Sequence, residues 1–261
     1  MAGATGAAAR GASGWQDGTL GQALGQQDGA QGQHGQSQSR QAQSQALGRQ
    51  DGRPWEVLSL GDLAALWKSE ALGGLPPIAG DTGQTNRAVA ERYAKLAELM
   101  EETGVTFEEN AIIKARAAAA YTGLLALADD SGIEVDWLGG APGVYSARYA
   151  GPDGDEKACN DLLLREMRDA PAGARTARYR AVIVLASPKG ILGIASGACE
   201  GHIGFAPKGS GGFGYDPLFV LPESETTMAE LPMTEKNKIS HRGKALAQIL
   251  PIILAQRCAK N

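Results

Sequence analysis

The sequence predicts an α/β fold, with a mixed central β-sheet flanked by helices. Three observations carry that prediction. Beyond residue 55, segments with apolar residues at helical spacing alternate with short apolar runs of strand length. Capping and turn residues punctuate the two kinds of segment. The 43% hydrophobic and 21% charged contents are those of a chain that buries a core.

Residues 1–54 stand apart. They are almost entirely Gly, Ala, Gln, Ser, Asp and Arg, as in "GQQDGAQGQHGQSQSRQAQSQ". So little apolar surface cannot offset the entropy of ordering the chain, so this segment is expected to be disordered or loosely ordered. Residues 55–261 form the expected α/β domain.

Within that domain "WEVLSL" alternates as a short strand, "LGDLAALWKSEAL" suits a short helix, and "GGLPPIAGDTGQ" is a loop. Arg87 to Glu101 has the apolar spacing of an amphipathic helix. Thr106 and Glu109 make a capping box that opens the Ala-rich helix "FEENAIIKARAAAAY". Two strands are expected next, "GLLALADD" and "GIEVDWL", followed by a loop, "GGAPGVYSARYAG". A helix around Glu156 to Arg168 leads into the strand "ARYRAVIVLAS". Across a Pro188–Gly190 turn, "ILGIASGACEGHIG" should pair with it. "YDPLFVL" reads as a strand interrupted by Pro217. Ser240 is a good N-cap for a final helix that Pro251 stops or kinks.

The bulk numbers exclude several classes of function. A net charge of −4 gives no basic excess for a broad nucleic-acid face. Cys159, Cys199 and Cys258 are odd in number, far apart and outside any CxxC spacing, which suggests neither zinc nor a disulfide framework and fits a reducing cytoplasm. No apolar run reaches the ~20 residues of a membrane span.

Four stretches carry candidate chemistry. Asn110 and Lys114 are four apart on the capped helix and share a face with Phe107. Asp129 and Asp130 are adjacent on a strand, so their side chains point to opposite faces and do different jobs. One is structural, bonding backbone amides or Ser131. The other faces a ligand at the strand's carboxyl end and can serve a hard cation such as Mg²⁺. An Asp-Asp-Ser-Gly turn without chemistry competes with that reading.

"KGSGGFGYDP" contains G-x-G-x-x-G at Gly209, Gly211 and Gly214, but it precedes no helix, so a dinucleotide site is rejected. Phe213 and Tyr215 for stacking and Asp216 as an acceptor suit a nucleobase better. In "EKNKISHRGKALAQIL", His241 and Arg242 fall in the first helical turn, where free amides and the helix dipole favour anions, with Lys236 just upstream.

Taken in order, "EETGVTFEENAIIKARAAA", "LALADDSGIEVDWLGGAPGVYSARYAG", "GGFGYDP" and "EKNKISHRGKAL" closely resemble the inosine triphosphate pyrophosphatase family. The resemblance implies two lobes with a nucleotide-binding cleft, a cytoplasmic homodimer, and Mg²⁺-dependent cleavage of non-canonical purine triphosphates (ITP, XTP, dITP) to the monophosphate and pyrophosphate. It implies that Asp130 and Lys114 are catalytic and that Asp130 and Glu102 bind metal. It also implies that Ser131, Phe213, Gly214, Tyr215, Asp216, Lys236, His241 and Arg242 bind the substrate.

The family's N-terminal T-x-N-x-x-K phosphate loop is not found intact. "TGAAAR" (Thr5 to Arg10) and "TGQTNR" (Thr82 to Arg87) have its spacing without its Asn and Lys. The alternative is therefore a catalytically weakened or inactive purine-nucleotide-binding protein.

Overall fold

The computed structural model describes residues 82–152, 155–222 and 224–256. The low-complexity segment, the "WEVLSL" strand, the helix after it and "TGAAAR" lie outside the described residues. Helix α1, Thr82–Leu99, begins earlier than its apolar spacing suggests and takes in the backbone of "TGQTNR". Every other element belongs to one unit, the chain from Glu98 onward.

Helix α2, Phe107–Thr122, opens on the expected capping box. The Thr106 side chain accepts from the Glu109 amide, and the Glu109 carboxylate accepts from the Thr106 amide. The sheet consists of β1 (Ala126–Val135), β2 (Thr176–Ser187), β3 (Gly190–Ile203) and β4 (Phe219–Val220), in that order. Every pairing among these strands is antiparallel, and β2 and β3 are joined across the expected turn. Helix α3 is Glu156–Glu166, α4 is Met233–Ile239 and α5 is His241–Ala255.

Strand β2 builds three layers because its side chains alternate. Val182, Val184 and Ala186 pack against Phe107, Ala111, Ala115 and Ala119 of α2. Ala181, Ile183 and Leu185 pack against Ala245 and Ile249 of α5 on the opposite face. Alanines line the α2 contact, so that helix lies close to the sheet.

The structure corrects several expectations. "GLLALADD" and "GIEVDWL" belong to one ten-residue strand, and Asp129 and Asp130 sit in its middle rather than at its carboxyl end. Gly132 marks a close approach, not a turn: a Cβ there would lie 2.3 Å from Ser146 Oγ. Ser146 belongs to a 3₁₀ helix, Gly143–Arg148, inside the stretch expected to be a loop, and its hydroxyl accepts from the Ile133 amide at 2.9 Å. Asp136–Leu138 is likewise 3₁₀, so the strand ends before Trp137.

"YDPLFVL" is mostly a turn, with only Phe219 and Val220 in the sheet. Pro251 neither stops nor ends α5, which continues to Ala255. A second glycine brings the start of α5 onto the sheet. A Cβ on Gly197 of β3 would lie 2.1 Å from the His241 carbonyl oxygen. Bare backbone on β3 is therefore what lets the His-Arg pair reach the site.

Candidate active site

The sequence-predicted residues form two clusters on opposite faces of β1. Antiparallel partners share a face, and Asp130 pairs with Val182 while Asp129 pairs with Ile183. Asp130 therefore points toward α2 and Asp129 toward α5.

On the α2 side, the buried Lys114 ammonium donates to Asp130 Oδ1 at 2.8 Å and to Glu102 Oε1 at 2.9 Å. Arg148 Nη1 donates to the other Glu102 oxygen at 3.0 Å. Asn110, fully buried, donates to Asp130 Oδ2 at 3.3 Å and accepts from the Gly104 amide at 2.8 Å. Because the Gly104 N–H can only donate, the Asn110 oxygen must face it, and its amide nitrogen must face the carboxylate.

Burial pushes the Asp130 carboxyl up to about 6; Lys114 pulls against that and the neighbouring Glu102 charge adds to it. Burial also opposes ionisation of Glu102, but Lys114 and Arg148 outweigh it and hold that carboxyl below its usual range. Lys114 is raised, since its two carboxylates outweigh the cost of burial. The protonation states thus divide, with Glu102 firmly ionised and Asp130 poised near neutrality.

On the α5 side, burial would lift the Asp129 carboxyl, but the Arg242 guanidinium 2.8 Å away outweighs it and holds it low. Ser131 donates to the same Asp129 oxygen at 3.3 Å. Arg242 also lies 5.5 Å from the centre of the Phe213 ring, and the Lys236 ammonium lies 4.3 Å from it. Phe213 is 40% exposed, a half-open aromatic face flanked by two cations.

Ser240 caps α5 by accepting from the Gly243 amide at 3.0 Å, as expected. His241 is buried, with its Nδ1 bonded to nothing. Burial first, then repulsion from Arg242, pulls its pKa down to about 3, so the ring is neutral.

The Tyr215 and Asp216 side chains are buried and bonded within the protein. The Tyr215 hydroxyl donates to the Ser146 carbonyl at 2.8 Å, and Gly214 presents its carbonyl to Asn160 at 2.9 Å. Asp216 accepts from the Phe213 amide at 2.8 Å, from Tyr179 at 3.2 Å and from the Lys236 ammonium. These residues shape the loop that displays Phe213. The sequence reading missed Tyr179 and Arg148; it noted Asn110 but not its tie to Gly104.

Glu102 and Asp130 fit Mg²⁺, which takes one or two carboxylates alongside waters and substrate phosphates. Both already touch one cation, the Lys114 ammonium. Among the described residues no group of three or more His, Cys, Asp or Glu could enclose a metal without such help. Nor is any described helix long and apolar enough to cross a membrane.

A sequence model of the Ham1 family matches residues 77–252, and the chain belongs to that family. It is 58% identical over 154 residues to the dITP/XTP pyrophosphatase of Desulforamulus reducens, covering 59% of this chain and 77% of that one. Against the dITP/XTP pyrophosphatase of Exiguobacterium sibiricum it is 56% identical over 149 residues, covering 57% and 75%. Among solved structures, a HAM1 protein from Coxiella burnetii superposes with a TM-score of 0.56 at 41% identity, over 64% of this chain and 94% of that one. The Staphylococcus aureus Ham1 protein gives 0.57 at 36% identity, over 68% and 96%.

Proposed function

We propose that this chain hydrolyses non-canonical purine nucleoside triphosphates (ITP, XTP and dITP) to the monophosphate and pyrophosphate, and so cleanses the nucleotide pool. The observation that carries the reading is the buried Lys114 ammonium joined to both Asp130 and Glu102. Burying a lysine with two carboxylates carries a desolvation cost that their attraction need not repay, so the cluster points to chemistry rather than to stability. The names of the most similar relatives support the same reaction class.

Water attacks the α-phosphorus, the bond to the bridging oxygen breaks, and pyrophosphate leaves with the electron pair. Asp130, ionised above pH 6, takes the proton from that water. Lys114 places positive charge beside the developing negative charge, and Asn110 holds the Asp130 carboxylate in place. Mg²⁺, held by Asp130 and Glu102, would supply further neutralisation of the phosphates. The same reading takes in the homodimer and the cytoplasmic setting that the family resemblance implies.

The purine seats at Phe213. Lys236 and Arg242 flank that ring as cationic donors. Donors facing the 6-position favour a 6-oxo purine. An adenine amino group there would leave donor facing donor, at a cost of about 1–3 kcal/mol.

The test is pyrophosphate release from inosine triphosphate with and without Mg²⁺, with ATP and GTP alongside and Asp130→Asn as the blank. Metal-dependent release that prefers the inosine substrate and vanishes in the variant is the expected result. Folded protein that binds inosine triphosphate without turnover would instead establish the binder, the reading that the altered T-x-N-x-x-K loop favours.

A further inference from the structure

Tyr179 is the point where the sheet meets the proposed base site. It lies on the α5 face of β2 with 7% of its surface exposed. Its ring stacks on His241 at 4.7 Å between centroids and 13° between planes, and leans on Phe219 at 4.5 Å. Its hydroxyl donates to Asp216 Oδ1 at 3.2 Å. Asp216 Oδ2 takes the Phe213 amide at 2.8 Å and the Lys236 ammonium. One buried carboxylate thus has its two oxygens divided, one fixed to the sheet and the other to the loop that displays Phe213.

We infer that Tyr179 is a positioning residue for base selection: through Asp216 its hydroxyl fixes Phe213 and Lys236, while its ring backs His241. The inference rests on the proposed reading that this loop receives the purine. The phenol is the only donor to Oδ1 among the described residues. Without it, that oxygen is left unsatisfied in a buried setting, and the carboxylate gains by turning to find another partner. Phe213 and Lys236 would lose their fixed acceptor with that turn. Burial, followed by the Asp216 charge, holds the phenol well above its ordinary pKa, so it donates throughout the working pH range.

The location makes the effect selective. Asp130 points to the opposite face of β1, and the hydrogen bonds described for it and Lys114 run to each other, Asn110 and Glu102. Disturbing Tyr179 should therefore move base recognition and leave the bond-breaking chemistry alone.

Tyr179→Phe removes one oxygen and keeps the ring, so the His241 stack and the fold are retained. Binding of inosine triphosphate and ATP is measured by titration calorimetry, and steady-state rates are taken for both. The expected result is about tenfold weaker binding and higher KM for inosine triphosphate, the scale of one lost hydrogen bond to a charged group. The preference over ATP should fall by a similar factor, with kcat within about twofold. Asp216→Asn should reproduce the loss, and the double variant should be no worse than Asp216→Asn alone.

An unchanged preference in folded Tyr179→Phe overturns the inference, as does an equal loss for both nucleotides accompanied by a fall in kcat. If the wild-type protein binds inosine triphosphate selectively but does not hydrolyse it, the enzymatic reading fails, and the calorimetric comparison still decides the role of Tyr179. A wild-type protein with no preference for inosine triphosphate overturns both.

Discussion

The Lys114 ammonium lies 2.8 Å from Asp130 Oδ1, yet burial still lifts that carboxyl to about 6. A group raised above its ordinary value stays protonated further up the pH scale than its model-compound counterpart, and only its ionised form can accept a proton from water. In the metal-free protein that carboxyl should therefore titrate near 6, and Mg²⁺ bound by Asp130 and Glu102 should move the step to lower pH. A carboxyl-resolved NMR titration from pH 4.5 to 8, with and without Mg²⁺, checks this. A metal-free midpoint near 4, the ordinary carboxylate value, would contradict the assignment.

Asn110 ties two parts of the site together, since one amide group reaches both the Gly104 backbone and Asp130. Gly104 lies two residues beyond Glu102, so the same side chain steadies the loop that carries the second carboxylate. Asn110→Ala should lower kcat by about one to two orders of magnitude with KM changed less, as for other lost charge-positioning donors. Steady-state kinetics on protein with a native circular dichroism spectrum is the measurement. A change confined to KM would place Asn110 outside the chemistry.

His241 makes a prediction about stability. Its folded pKa of about 3 lies below the ordinary 6.5, so between those values the unfolded chain binds the extra proton. Stability from this residue is complete above pH 6.5 and is lost as pH falls toward 3. At pH 5 the loss is about 2 kcal/mol. Asp130 works in the opposite sense, because its raised pKa makes the folded state the better proton binder from about pH 4 to 6. The His241 share is therefore isolated by difference: the urea midpoint of His241→Phe should depend less on pH between 7 and 5 than that of the wild type.

How much of this could be read from the sequence depended on the range of each contact. The Thr106 capping box and the Ser240 cap were legible because donor and acceptor lie three residues apart. The opposed aims of Asp129 and Asp130 follow from the two-residue period of a strand and are met by Lys114 on one face and Arg242 on the other. Gly132 misled because a glycine after Asp-Asp-Ser is a local turn signal. What sets it here is Ser146, fourteen residues on, pressed against its bare Cα. Tyr179 and Arg148 were invisible for the same reason, since their partners Asp216 and Glu102 lie 37 and 46 residues away and meet them only through sheet register and loop packing. Asp216 drew attention as an acceptor for a nucleobase; its three donors, Phe213, Tyr179 and Lys236, reach it through the fold.

Arg175 is the strongest purely structural bet. It is 2% exposed, and its guanidinium donates to four backbone carbonyls: Met167 at 2.7 Å, Ala170 at 3.4 Å, Ile203 at 2.8 Å and Gly204 at 2.9 Å. Burial lowers its pKa, and its described hydrogen bonds are all to carbonyls, with no carboxylate among them. The guanidinium clamps the chain just beyond α3 to the end of β3. Arg175→Met fills similar space but supplies no donor, so several buried carbonyls would go unpaired at about 1–3 kcal/mol each, less whatever water recovers. A net loss of about 3 kcal/mol is expected, which for a domain of this size lowers the melting temperature by roughly 6–12 °C. Thermal unfolding followed by circular dichroism tests it. Since Arg175 touches neither cluster of the site, the kcat of Arg175→Met, assayed well below its melting temperature, should match that of the wild type.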